Sequence, residues 1–278
     1  MADLHGIMVA LITPFTDDQT KIDEARLQAH IEHLIKAGVH GLVPGGSTGE
    51  FTVMTTAERK QLTELCVKFA AGRVPVVTGT GSTSSAEAIE LSKHAGEVGA
   101  AAVMVEIHNE SKLPIMFYNI PGASGLKLTP TEIAGLSKVG VKYMKDTSGD
   151  APALTELLVG HSDKITAFNG WDSLTFFGLA SGAPGGVWGA ANFIPELAVE
   201  LYEAISIKGD LKRGRELWAK AWPICKFLES YNYAASVKTG VELIGQPTGG
   251  LRKPFALLKP ELRAELKQLI ENAGVKTV

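Results

Sequence analysis

Cysteine is scarce in this sequence, which holds only Cys66 and Cys225 among 278 residues. Both lie within amphipathic helical patterns, where small buried thiols in a reducing compartment are a better explanation than a disulfide framework. A membrane anchor is also lacking. Residues 1–15 have no basic region followed by a long apolar run, and no segment reaches the roughly 18 uninterrupted apolar residues of a span. We therefore expect a cytoplasmic protein without a membrane partner.

An excess of charge of one sign is absent as well. The formal net charge is −3 and the isoelectric point is about 6.2, so the chain has no basic field to attract a phosphate polymer. A nucleic-acid partner is therefore not expected. With 45% hydrophobic and 21% charged residues, the chain can bury a large core, which excludes a disordered or fibrous class.

Short apolar runs alternate with longer helical patterns along most of the chain, as they do in parallel βα units. Eight of these runs predict buried strands, at residues 7–11, 41–43, 76–78, 102–105, 115–118, 141–145, 165–169 and 185–188. Eight strands favour an α/β fold of the (β/α)8 TIM barrel type. A doubly wound open sheet is the alternative.

Capping signals mark several helix starts. Thr55 with Glu58, and Ser84 with Glu87, have the spacing of capping boxes, and Pro130 follows Thr129 at a first helical position. After the eighth strand the pattern is entirely helical, with helices predicted at residues 195–205, 210–231, 236–244 and 260–272. We expect one domain overall, a barrel over residues 1–205 with a C-terminal helical extension over residues 206–278.

The C-terminal ends of barrel strands form the active site in this fold, and the second strand ends in a glycine-rich loop. It runs through Gly46, Ser47 and Thr48 to Glu50. Its glycines permit tight turns, and its two hydroxyls and backbone N–H groups are free to bind a small carboxylate. A simple turn capped by Ser47 and Thr48 is the alternative interpretation of this loop alone.

Two further strand ends carry reactive groups. The fifth strand ends at Tyr118, whose phenol could exchange protons with a substrate, or could only pack at the rim. The sixth ends at Lys145, which closes an apolar run directly before a helix start. A lysine placed there is snorkelling, ion-paired or a nucleophilic amine.

Taken together, an anion-binding loop, an amine and a proton carrier indicate a site for a 2-oxo acid. The loop would hold the carboxylate while Lys145 condenses with the ketone. The resulting iminium accepts electrons, which permits cleavage of the C3–C4 bond or the reverse condensation with an aldehyde, and Tyr118 would move the protons.

Other chemistries have weaker support. Gly45-Gly46-Ser47-Thr48-Gly49 also matches the nucleophile elbow of a serine hydrolase, but the segment of residues 51–54 intervenes before the next helix cap at Thr55. His30 and His33 are one turn apart without further ligands, so a solvated helix face explains them better than a metal site. Residues 79–82 lack the third glycine of a dinucleotide fingerprint, so no nicotinamide or flavin is indicated. A further alternative is a barrel that serves only as a binding or regulatory subunit and has no catalytic activity.

At these residues the chain resembles the dihydrodipicolinate synthase and N-acetylneuraminate lyase family of class I pyruvate-dependent aldolases, over nearly its whole length. The matching motifs span residues 41–50, 118–121 and 143–149. The resemblance implies that Lys145 forms the imine, Tyr118 is the acid/base, and Ser47 and Thr48 bind the carboxylate. It further implies pyruvate and an aldehyde as ligands, no cofactor or metal beyond the imine, and a homotetramer built as a dimer of dimers.

Departures from the family pattern narrow the substrate. Synthases of the lysine pathway usually carry an arginine where Ala123 stands, so a clamp for the aldehyde's carboxylate is missing. Gly170 and Asp172 resemble the hydroxyl-binding strand end of the lyase branch, although Ser173 replaces the glutamate usual in sialic acid lyases. With Gly46 and Val187, they complete the expected substrate-binding residues. A 2-keto-3-deoxy sugar acid or another 4-hydroxy-2-oxo acid is the preferred substrate class. A 4-hydroxy-tetrahydrodipicolinate synthase or a dehydratase is the alternative.

The fourth βα unit is unusually short. Nine residues, 106–114, separate Val105 from the next strand, whereas a parallel crossover with its helix needs about a dozen or more. Compared with the family, about 18 residues are missing at this point. If the molecule contains these residues, we expect the Cα atoms near Val105 and Glu106 to lie much farther apart than the roughly 3.8 Å of a trans peptide. An unbroken chain at this point would instead indicate a true deletion.

Overall fold

Eight parallel strands form one sheet in the computed structural model, which describes residues 3–105 and 113–278. The strands are β1 (Gly6–Ala10), β2 (Gly41–Val43), β3 (Val77–Gly79), β4 (Ala102–Val105), β5 (Ile115–Asn119), β6 (Val141–Asp146), β7 (Thr166–Asn169) and β8 (Gly185–Trp188). Their order is β2-β1-β8-β7-β6-β5-β4-β3, and a parallel bridge between Leu42 and Val76 joins the two ends. The TIM barrel is therefore confirmed, and the open doubly wound sheet is wrong.

The strands are buried on both faces, as their continuous apolar sequence predicts. Side chains that point into the barrel form one apolar cluster, which includes Met8, Met104, Met116, Tyr143 and Phe168. Two larger clusters lie between the strands and the surrounding helices. Because this packing fixes the strands, the polar residues at their C-terminal ends are held on a rigid frame.

Helices surround the sheet and continue beyond it. They are α1 (Glu24–Lys36), α2 (Thr56–Ala70), α3 (Ser85–Glu97), α4 (Pro121–Ser124), α5 (Pro130–Gly135), α6 (Ala151–Gly160), α7 (Thr175–Ala180), α8 (Pro195–Tyr202), α9 (Leu211–Ser230), α10 (Tyr233–Leu243) and α11 (Pro260–Asn272). The capping box at Thr55 and the proline at the first position of α5 are confirmed. Ser84 caps α3, but Glu87 turns instead to the hydroxyls of Ser82 and Thr56.

Two expectations about helices need correction. Helix α10 begins at Tyr233 rather than near Ser236, because Asn232 caps it by accepting from Ala235 N at 2.9 Å. His30 is not on a solvated face. It is 2% exposed, and its ring nitrogens contact Gln246 Oε1 at 2.7 Å and Asn192 Oδ1 at 3.0 Å.

Cys66 and Cys225 are both buried and free, as expected. Within residues 3–105 and 113–278, no helix is long and apolar enough to cross a membrane. The separation predicted at Val105 and Glu106 lies outside the described residues.

Candidate active site

The register between β5 and β6 brings Tyr118 and Lys145 side by side, since the two residues are paired across the strands. Lys145 is 7% exposed, and its Nζ lies 4.2 Å from the centroid of the Tyr118 ring. The Lys145 amine thus lies at the end of the apolar barrel interior, next to the Tyr118 ring. This arrangement suits an amine nucleophile with an adjacent proton carrier.

Gly170, directly after β7, allows the lysine chain to pass. A Cβ at this position would lie 2.6 Å from Lys145 Cγ and 2.5 Å from Thr147 Oγ1, closer than such atoms approach in practice. The neighbouring Thr147 donates its hydroxyl to Gly170 O at 3.1 Å. Gly170 is therefore required by the close approach of the Lys145 side chain.

The loop after β2 contains a 3-10 turn at Ser47–Gly49, preceded by Gly46. Thr48 is buried, whereas Ser47 is exposed. The loop is tied to the segment after β1, because Thr13 Oγ1 donates to Gly49 O at 2.8 Å. A second 3-10 turn at Phe51–Val53 follows before α2, so the strand–turn–helix geometry of a nucleophile elbow is absent here.

Asp146 follows Lys145 but serves the loop beyond it. The carboxylate is buried, and it accepts from Asn119 Nδ2 at 2.7 Å and from Ser148 Oγ at 3.1 Å. Burial raises the pKa of Asp146 above its ordinary value, and these donors oppose the shift. The Asp146 carboxylate therefore accepts its hydrogen bonds from neighbouring residues at the strand ends, which indicates a structural role.

Asp172 lies two residues beyond Gly170 and is 4% exposed. Burial raises the pKa of this carboxyl to about 7. The Tyr233 hydroxyl opposes the shift by donating to Asp172 Oδ2 at 2.7 Å, and the nearby Glu229 carboxylate adds to it. Glu229 in turn accepts from Ser173 N at 2.7 Å. Asp172 thus changes charge near neutrality, in a position where a substrate could contact it.

One cavity of about 260 Å³ collects most of the predicted site residues. Its lining includes Ser47, Thr48, Tyr118, Lys145, Gly170, Asp172 and Val187. Gly46 lies instead in an adjoining cavity of about 500 Å³, which also contacts Ser47, Tyr118 and Ala123. The sequence-predicted residues therefore meet at one place, with Gly46 at its edge.

Several lining residues were missed by the sequence interpretation. They come from the loops after β6 and β7 and from the helical extension, namely Thr147, Trp171, Leu228, Glu229, Tyr231 and Tyr233. The helix predicted at residues 210–231 contains Leu228, Glu229 and Tyr231, whereas Tyr233 falls between this helix and the one predicted at residues 236–244. Asn232 could have indicated these residues from the sequence, because asparagine is a common N-cap and marks the turn between α9 and α10. Side chains next to such a turn can face the barrel mouth.

A metal site has no support in the described ranges, where no group of three or more His, Cys, Asp or Glu side chains is placed to hold an ion. The described residues that line the cavity offer one amine, three phenols, three aliphatic hydroxyls and two carboxyl groups.

Comparison with known proteins agrees with this geometry. A family model described as the dihydrodipicolinate synthetase family matches residues 3–106 and 104–273. A 4-hydroxy-tetrahydrodipicolinate synthase from Methanopyrus kandleri is 37% identical over 293 positions, covering 96% of each chain. A protein of the same name from Thermomicrobium roseum is 34% identical, covering 95% of this chain and 92% of the relative.

Solved structures give the same result. A dihydrodipicolinate synthase from Aquifex aeolicus superposes with a TM-score of 0.91 at 28% identity, covering 98% of this chain and 99% of that chain. A prophage protein of the dihydrodipicolinic acid synthase family from E. coli K12, solved with pyruvate, has a TM-score of 0.91 at 30% identity, covering 99% of this chain and all of the other.

The break in the family match coincides with the short fourth βα unit. The two matched segments meet at residues 104–106, and the alignment with the Methanopyrus kandleri relative has more positions than this chain has residues. That relative therefore carries residues that have no counterpart here.

Proposed function

Because the chain belongs to the dihydrodipicolinate synthetase family, we propose that it joins pyruvate to a hydroxylated aldehyde that carries no second carboxylate, or cleaves the product. The chain is a lyase of this pyruvate-dependent family, which works through a lysine Schiff base and uses no metal or other cofactor. The proposed substrate in the cleavage direction is a 2-keto-3-deoxy sugar acid or another 4-hydroxy-2-oxo acid.

In the proposed reaction, the Lys145 amine attacks the ketone carbon of pyruvate, and loss of water gives an iminium. Tyr118, having given its proton to the departing water, takes a proton from C3, and this gives an enamine that attacks the aldehyde carbon. Tyr118 supplies the proton for the new alkoxide, and water releases the product and restores the amine. Gly46, Ser47 and Thr48 would hold the carboxylate of pyruvate throughout, and Val187 would contact its apolar side.

The observation that carries the choice of aldehyde is the charge of the cavity lining. Asp172 and Glu229 both line the cavity, and Lys145 is the only cation among the described lining residues of the two cavities. Both groups can accept hydrogen bonds from hydroxyls. The Glu229 carboxylate repels a second carboxylate, and Asp172 adds to this repulsion once the pH exceeds its pKa of about 7. This composition supports a polyhydroxylated, uncharged aldehyde.

Ala123 supports the same conclusion. It lines the adjoining cavity with Ser124 from α4, where an arginine would be able to clamp an anion with two parallel hydrogen bonds. Alanine offers neither charge nor donor at this position. A negatively charged aldehyde would therefore find no cation other than Lys145 among the described residues that line the two cavities.

A 4-hydroxy-tetrahydrodipicolinate synthase is the second candidate. It is favoured by the names of curated relatives that are 30–37% identical to this chain. Such an activity would condense pyruvate with aspartate semialdehyde, which bears a carboxylate. The charge of the cavity lining argues against that partner.

A direct comparison of aldehydes tests the choice. Pyruvate consumption would be followed with glyceraldehyde and with aspartate semialdehyde, and we expect kcat/KM to be at least about tenfold higher for glyceraldehyde, the worth of one or two lost polar contacts. Efficient turnover of aspartate semialdehyde would favour the synthase. With a 2-keto-3-deoxy acid, release of pyruvate identifies an aldolase, whereas loss of water without pyruvate identifies a dehydratase.

Ala123→Arg provides a sharper version of the same test. The new guanidinium should improve kcat/KM for aspartate semialdehyde by about tenfold or more, the worth of a charge-assisted hydrogen bond. Ala123→Gln, which adds similar bulk without charge, is the matched control. Equal effects of both variants would mean that charge at this position does not select the aldehyde.

The assembly and the domain organisation remain part of the proposal. A homotetramer is expected, and light scattering after size exclusion measures its mass. If barrel and extension form one domain, thermal unfolding should give a single transition by every probe.

A further inference from the structure

We propose that Glu50 and Lys238 are positioning residues for pyruvate, which hold the loop of Ser47 and Thr48 in its binding geometry. The inference rests on the carboxylate-binding role proposed above for that loop. It concerns the first half of the reaction, before any aldehyde binds, so its test is independent of the choice of aldehyde.

The backbone at Glu50 needs such support. Glu50 ends the 3-10 turn that contains Ser47 and Thr48, and it begins the next turn. Its φ of 61° and ψ of 34° place a non-glycine residue in the left-handed region. This conformation is unfavourable for a residue with a Cβ and persists only where surrounding contacts determine it.

The contacts that hold Glu50 come from its side chain. Lys238 Nζ lies 2.5 Å from Glu50 Oε1, and the two side chains are 0% and 1% exposed. The other carboxylate oxygen accepts from Arg252 N at 3.1 Å. Glu50 is therefore held at both oxygens by the C-terminal part of the chain.

Lys238 is itself fixed from several sides. It lies on α10, is 0% exposed, donates to Gly250 O at 2.6 Å, and stands 4.3 Å from the centroid of the Phe15 ring. An ammonium with these contacts has little freedom to follow a moving carboxylate. The position of Glu50 is thus set by the frame of α10.

Net stability does not account for this pair. The free energy needed to remove two charged groups from water is about as large as the free energy gained from their attraction. An apolar pair of similar size therefore often stabilises a fold as well as an ion pair does, or better. An ion pair nevertheless fixes a distance and a direction. Since Thr48 stands two residues from Glu50, a shift of Glu50 is transmitted directly to the turn that carries the two hydroxyls.

Glu50→Gln and Lys238→Met test the proposal. The dissociation constant of pyruvate would be measured from the concentration dependence of borohydride trapping at Lys145, well below the melting temperature of each variant. We expect pyruvate to bind about 10- to 100-fold more weakly in both, the effect of a misplacement on the order of 1 Å. The rate of trapping at saturating pyruvate should stay within a few-fold, because Lys145 itself is not displaced.

Thr239→Val is the matched control. Thr239 is also on α10 and 0% exposed, and its hydroxyl accepts from Leu258 N at 3.2 Å. This variant should lose stability without weakening pyruvate binding. If Lys238→Met does not fold, Glu50→Gln alone decides, since it retains the size of the side chain. Folded variants of Glu50 or Lys238 that bind pyruvate as the wild type does would overturn the proposal.

Discussion

The cavity has two walls of different origin. Tyr118 and Lys145 stand on barrel strands whose mutual register fixes their distance. Glu229 and Tyr233 come from the helical extension and reach the cavity across the turn between α9 and α10. The reactive groups shared by a family thus lie on the rigid sheet, whereas the groups that would contact the variable part of a substrate lie on helices joined by a turn.

Lys145→Ala should produce the largest effect, namely loss of all turnover and of all borohydride trapping with pyruvate. The amine is the only covalent partner in the proposed mechanism, and truncating it at the barrel mouth opens no large core cavity, so the fold should persist. Lys142→Ala is the control, because Lys142 lies on the same strand with an exposed ion pair to Asp3. Full activity of Lys145→Ala would end the Schiff-base mechanism.

Tyr118→Phe should slow catalysis by about 10²–10⁴, the usual contribution of a positioned acid/base, with a smaller effect on pyruvate binding. Steady-state kinetics with saturating pyruvate measure the loss. Tyr143→Phe is the matched control, since Tyr143 lies in the barrel interior, does not line the cavity, and donates its hydroxyl to Asp3 Oδ1 at 3.4 Å. A loss below about tenfold at Tyr118 would assign this residue to packing.

Tyr233→Phe should affect only the part of the cavity formed by the helical extension, and so only the turnover of the aldehyde. Loss of the hydrogen bond to Asp172 Oδ2 removes an interaction that lowers the pKa of Asp172, so this pKa should rise further above its value of about 7. More of the carboxyl is then neutral, and kcat/KM for hydroxylated aldehydes should fall by about tenfold. The acidic limb of the pH profile, on which activity rises as Asp172 ionises, should therefore move to higher pH.

Pyruvate trapping should be unchanged in Tyr233→Phe, and Tyr202→Phe, buried on α8 away from the cavity, should change neither measurement. If Tyr233→Phe weakened pyruvate trapping as much as aldehyde turnover, the division between the two walls would be wrong.

The smallest effect concerns stability and pH. The pKa of Asp172 is raised from 3.8 to about 7 in the folded chain, so its contribution to stability is complete at low pH and is lost as the pH rises through about 7. From pH 6 to pH 8 the free energy of unfolding should fall by about 1 kcal/mol through this group. Asp172→Asn should lack that part of the pH dependence, and denaturant unfolding at the two pH values measures it.

The two walls also differ in how far the sequence predicts them. The predicted strands agree with the observed ones to within one residue at each end, because strands covered on both faces form continuous apolar runs. The motifs around Ser47, Tyr118 and Lys145 follow those strands directly. Glu229 lies in a predicted helix whose periodicity shows a buried face without showing what packs against it, and Tyr233 falls between two predicted helices. Tertiary packing decides which helix faces the barrel mouth. The sequence indicates this only locally, through the N-cap residue Asn232.

His30 illustrates the same limit. An imidazole on an amphipathic helix gives no sign of whether its partners are water or protein, and its partners here, Gln246 and Asn192, are distant in sequence. The ion pair of Glu50 and Lys238 likewise joins residues from opposite ends of the chain. Contacts of this kind emerge only once the barrel has closed and the extension has packed on it.

Gly170 has a consequence for how the protein can evolve. The position contributes no reactive group, yet the space left by its missing side chain is occupied by the lysine that carries the chemistry. Even a methyl group there would push the lysine from its path, so very few amino acids other than glycine should be tolerated at residue 170. A genetic screen for inactive proteins should recover Gly170→Ala beside substitutions of Lys145, although a search for chemical functionality would pass it by.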